Sequence, residues 1–74
     1  MTSTHSTLIA TVGPYDLRHS DGTQDWPGFS TGGLERGYWF GTDMHREHIA
    51  YDLDAALTEI CAQADFLGLT AEIY

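Results

Sequence analysis

The chain is predicted to fold as a small α+β domain: an antiparallel sheet with one helix packed on it, in the order β-β-α-β. Three observations carry this. Residues Thr7–Val12 alternate, with Leu8, Ala10 and Val12 on one face and a high β-branched content. Leu34–Phe40 ends in Tyr38, Trp39 and Phe40, bulky side chains that suit a pleated surface. Between Leu53 and Leu67 the apolar residues Leu53, Ala56, Leu57, Ile60, Cys61, Ala64 and Leu67 recur at helical spacing.

Residues 1–6 are small and polar and read as a disordered tail ahead of a single domain over 7–74. The first strand is interrupted at Gly13-Pro14, because proline cannot donate to a ladder, and Tyr15–His19 resumes it beyond a bulge. Ser20 to Gly33 is a loop with turn signals at Ser20–Thr23 and Pro27-Gly28. Trp26 and Phe29 within it are apolar enough to cap the core or to meet a partner. The second strand spans Leu34–Phe40, and Gly37 and Gly41 bracket its aromatics. Thr42–Tyr51 reads equally as loop, helical turn or strand edge. Asp52 is a suitable N-cap, Asp54 falls in the first turn where the helix dipole favours an acid, and Gly68 can end the helix in the left-handed conformation. Leu69–Tyr74 alternates as a final strand that returns beneath the helix.

At 74 residues there is room for one core. With 42% hydrophobic residues the chain can collapse, though a core of this size rarely supplies more than ~3–5 kcal/mol. Cys61 is the only cysteine, so no intrachain disulfide reinforces it. Self-association as a homodimer, or binding to a partner, is the remaining reinforcement. The N-terminus lacks the basic and apolar stretches of a signal peptide, and nothing approaches the ~18 apolar residues of a membrane span. A soluble, cytoplasmic protein with no membrane partner is expected.

Eleven acids stand against three arginines and no lysine, a formal net charge of −8. Such a field repels nucleic acid and anionic membrane and attracts basic protein surfaces. Arg18, Arg36 and Arg46 are scattered, so there is no basic stripe for direct nucleic-acid binding. Gly32-Gly33 lacks the residues and spacing of a phosphate-binding loop.

Catalytic constellations are thin. His45, Glu47, His48 and Asp52 are the one cluster of metal-ligand types, and His45, His48 and Asp52 would suit zinc or ferrous iron if their segment were helical. No His-Glu-x-x-His or Cys/His framework surrounds them, so no metal or cofactor is expected, and the enzyme reading ranks below binding. Cys61 sits in the apolar stripe, where a thiol is a small buried hydrophobe. Ser3, Ser6, Ser20 and Ser30 have no nucleophile-elbow pattern around them.

The acidic surface carries the functional reading. Asp43, Glu47, Asp52, Asp54, Glu59, Asp65 and Glu72 face a single basic residue, Arg46, over positions 38–74. Asp54, Thr58 and Asp65 project along one line of the helix opposite its apolar stripe, with Glu59 to one side. An ordinary exposed helix face mixes both signs to form i, i+4 pairs, and this one does not. The aromatics add a second signal, since Trp and Tyr are enriched at binding hot spots. Candidate partner-binding residues are therefore Asp43, Glu47, Asp52, Asp54, Glu59, Asp65, Trp26 and Tyr38.

In length, acidity, lack of a catalytic motif and α+β order, the whole chain resembles the small acidic inhibitors encoded by bacteriophages, including anti-CRISPR proteins and nucleic-acid mimics. That resemblance implies a non-enzymatic protein that inhibits a nucleic-acid-handling defence complex in the host cytoplasm by occupying a basic surface. Separately, Gln24-Asp25-Trp26-Pro27 followed by Gly37-Tyr38-Trp39 is similar to the MbtH-like proteins, small acidic partners of adenylation domains. It implies an accessory subunit of a biosynthetic enzyme. Asp25 before the tryptophan, Arg36-Gly37-Tyr38-Trp39 and the Leu69–Tyr74 ending depart from that family's pattern.

Overall fold

The computed structural model describes residues 5–28 and 33–74. Phe29, and Met1 to Thr4 of the expected tail, lie outside the described residues. The elements are β1 (Thr7–Val12), β2 (Tyr15–Ser20), β3 (Gly37–Gly41), β4 (Arg46–Ala50), α1 (Leu53–Leu67) and β5 (Ala71–Ile73). All neighbouring strands pair antiparallel, in the spatial order β4-β3-β2-β1-β5. The α+β class stands, and the strand sequence is corrected to β-β-β-β-α-β.

Two local features explain the extra strands. Gly13-Pro14 reverses the chain instead of bulging it, with Val12 opposite Tyr15. Gly13 takes φ 58°, and proline's fixed φ follows it, as in the tight turn that matches strand twist. A Cβ there would also lie 2.7 Å from Leu69 Cδ1, so the turn needs glycine on two grounds. The irregularity instead lies inside β1, between Leu8 and Ala10. The second extra strand is β4, which pairs Trp39 with His48 and Phe40 with Glu47 at the sheet's edge. β3 begins at Gly37, which leaves Leu34 in the preceding connection, and β5 shortens to Ala71–Ile73.

One face of the sheet packs on the helix. Its core is Ala10, Val12, Leu17 and Ala50 beneath Ala56, Ile60 and Ala64. Two of the three buried helical residues are alanines, which lets the helix axis approach the strands closely. Asp52 caps the helix as its sequence position requires, accepting from the Ala55 amide at 2.8 Å. Gly68 ends it at φ 70°, ψ 28°, and Leu69 N–H donates to the Ala64 carbonyl at 2.9 Å. The apolar stripe is narrower than its periodicity suggested: Leu53, Leu67 and Cys61 are exposed.

The opposite face is covered by the β2–β3 connection. Trp26 is 1% exposed and lies there with Ser6, Ser20 and Leu34, all buried. The guanidinium carbons of Arg18 and Arg46 stand 5.9 and 5.8 Å from its ring centroid. Arg18 also donates to the Ser6 carbonyl at 2.6 Å and to the Asp16 carboxylate at 3.3 Å. His5 bridges to Asp25, and Ser6 N–H donates to the Asp25 carbonyl at 2.8 Å. These last two residues, expected in the tail, are therefore part of the folded layer.

Candidate functional site

On the helix side, α1 packs on β1, β3, β4 and β5, and it does not close over the adjoining ends of β2, β3 and β4. This leaves a groove of about 520 Å³ between the C-terminal half of the helix and the strand ends. Its apolar surface is formed by Tyr15, Phe40, Ile49 and Leu67, and its polar walls carry His45, Glu47, Glu59 and Gln63. Each position follows from register. Leu17 pairs with Phe40, and Phe40 pairs with Glu47, so both point to the helix side. Tyr15 is two residues from Leu17 on the same face and meets Phe40 diagonally, with ring centroids 5.6 Å apart and planes tilted by 34°. Glu59, Gln63 and Leu67 form an i, i+4, i+8 row along one flank of the helix.

The groove is acidic at both walls. Glu47, from the strand side, accepts from His45 Nε2 at 3.1 Å, and both side chains are largely exposed. Glu59, from the helix side, makes no ion pair among the described residues. No Lys or Arg follows Arg46, so α1 and β5 carry none. Arg18 and Arg46 are engaged around Trp26 on the other face, and Arg36 lies in the β2–β3 connection. Arg18 and Arg46 thus lie beneath the sheet together with Asp16 and Asp43, while Glu47, Asp54, Glu59 and Asp65 lie on the helix side.

The structure separates the eight residues proposed from the sequence. Glu47 and Glu59 meet at the groove. Asp54 and Asp65 are exposed on the helix. Asp52 is occupied with capping. Asp43 belongs to the other side of the molecule: its Oδ1 accepts from Trp26 Nε1 at 3.1 Å, and its carbonyl accepts from Arg46 at 3.1 Å. Trp26 is corrected from a surface contact to a buried one, because the β2–β3 connection folds it against the sheet. Tyr38 is half-buried, its ring 4.8 Å from that of His19.

The metal arrangement considered for His45, His48 and Asp52 does not assemble. β4 is a strand, not a helix, so His48 meets Trp39 edge-on and Tyr51 at a tilt, with centroids 5.4 and 4.5 Å away, on the face away from Glu47. Its Nε2 donates to the Arg36 carbonyl at 3.2 Å. Among the described residues no three His, Cys, Asp or Glu side chains converge as ligands. Among the same residues, no helix is long and apolar enough to cross a membrane.

Sequence reasoning missed Tyr15, Ile49, Gln63 and Leu67 as groove residues. The only signal was the alternation of Arg46 and His48 with Glu47 and Ile49, which identifies β4 once that segment is extended. No model of a known family, no characterised protein and no solved structure matches this chain.

Proposed function

We propose that this chain is a non-enzymatic acidic binding protein. Its helix face and groove occupy a basic protein surface, and the target is a nucleic-acid-handling complex, which it inhibits. The observation that carries the reading is that Asp54, Glu59 and Asp65 are exposed on α1, with Glu47 across the groove from Glu59, while α1 and β5 have no Lys or Arg. Like charge left uncompensated costs stability through self-repulsion, and it accelerates encounter with an oppositely charged partner. Basic channels that hold phosphates are partners of matching sign.

The test is inhibition. Candidate nucleic-acid-binding complexes recovered by the tagged protein from nuclease-treated lysate are assayed for nucleic-acid binding with and without it. Loss of binding that is relieved by added salt supports occupation of the basic surface. A captured complex that retains full nucleic-acid binding contradicts inhibition. Capture of a biosynthetic enzyme whose activity rises would instead favour the accessory-subunit reading.

A further inference from the structure

Given that reading of the chain as an acidic binding protein, the groove has features that a diffuse field does not need. Its floor is aromatic and aliphatic, from Tyr15, Phe40, Ile49 and Leu67, while a carboxylate stands on the strand wall and another on the helix wall. Water held over such a floor is poorly coordinated, and a cation entering must shed hydration there. An ammonium is compact and strongly hydrated, and so resists that loss. A guanidinium is planar and weakly hydrated, stacks on aromatic faces, and presents five donors in its plane. Those donors can meet Glu47 and Glu59 together, whereas its aliphatic stem covers Ile49 and Leu67.

We infer that the groove is a guanidinium site, and that it takes an arginine side chain presented by the partner. His45 deepens the selection on the strand wall. Its Nε2 already donates to Glu47 Oε1, which leaves the second carboxylate oxygen for the incoming cation. Gln63 stands between Glu59 and Leu67 on the helix row and offers an amide oxygen to a remaining guanidinium N–H. Arginine is also the residue by which proteins grip phosphates bidentately, so a site that captures one competes directly with nucleic acid.

The experiment uses the full chain, labelled with 15N, titrated with N-acetyl-arginine amide, N-acetyl-lysine amide and the neutral N-acetyl-citrulline amide at matched ionic strength. The arginine compound is expected to shift the amides of Tyr15, Phe40 and Ile49 saturably, with affinity about tenfold above the lysine compound and no saturation by citrulline. Glu59→Gln should weaken arginine binding about fivefold or more, and Glu35→Gln, at an exposed acid of the β2–β3 connection outside the groove, should leave it unchanged. Glu59 is exposed, so an unchanged circular dichroism spectrum is expected for the variant. Equal shifts from arginine and lysine, or shifts spread over the helix acids without the groove, overturn the inference. A parallel titration with polylysine separates this from failure of the broader reading. Salt-sensitive polylysine binding without arginine selectivity leaves an acidic binding protein with no guanidinium site, and absence of both removes both.

Discussion

Trp26 donates its indole N–H to the Asp43 carboxylate at 3.1 Å and so ties the β2–β3 connection to the β3–β4 turn, 17 residues away. The indole itself lies over Arg18 and Arg46, so a side of the sheet that the sequence leaves open is a second packed layer. Trp26→Ala should therefore cost about 3–5 kcal/mol, as for other buried aromatics. Asp43→Ala should cost less, roughly 1–3 kcal/mol, by leaving the indole N–H unpaired. Chemical denaturation checks both, and a Trp26→Ala midpoint equal to wild type would show that the layer adds no stability.

The helix is held by a short line of contacts. Ile60 is fully buried, and Ile60→Ala should destabilise by about 2–5 kcal/mol, enough to unfold much of the population. Leu53 is 44% exposed, and its replacement by alanine should cost roughly a third of that or less, since little apolar surface leaves water on folding. Cys61, exposed on the same helix, should react with a thiol reagent in the native protein at close to the rate of an unfolded peptide. Protection of that thiol until denaturation would place it in an interface such as a homodimer.

Local signals in the sequence were legible and distant ones were not. Asp52 and Gly68 mark both ends of α1 because a cap is a contact over three or four residues. The stripe that includes Leu53, Cys61 and Leu67 was over-read, because periodicity reports which residues share a face and not how far the sheet extends beneath them. β4 is only one of three readings of its segment, because an edge strand with Arg46, Glu47 and His48 in succession shows polar groups on both faces. The sequence leaves Trp26 between capping the core and meeting a partner, because its contacts, Arg18, Asp43 and Arg46, come from three separate segments. The groove was hidden for the same reason: Tyr15, Phe40, Glu47 and Glu59 come together only through sheet register and helix placement.

Acid titration has a defined sign at one turn. The Thr23 hydroxyl and amide both donate to Asp21 Oδ1, at 2.7 and 2.9 Å, and hold its carboxyl below the ordinary value of 3.8. A group whose folded pKa is depressed contributes stability that is present above its unfolded pKa and is lost as pH falls through the folded one. Carboxyl-detected NMR should therefore find Asp21 titrating below 3.8, and Thr23→Val should return it towards that value. A midpoint at or above 3.8 in the wild type would mean the turn is not formed in solution.

Asp54, Glu59 and Asp65 are all exposed, so reversing all three to lysine should leave the helix folded while removing the charge that draws a partner. The most direct measurement is capture from nuclease-treated lysate with tagged wild type and tagged Asp54→Lys/Glu59→Lys/Asp65→Lys, each eluted by a salt gradient. A nucleic-acid-binding complex that elutes from the wild type at moderate salt and is absent from an equally helical triple variant is the predicted result. Equal recovery on both would contradict the central claim and reduce the helix acids to a solubility face.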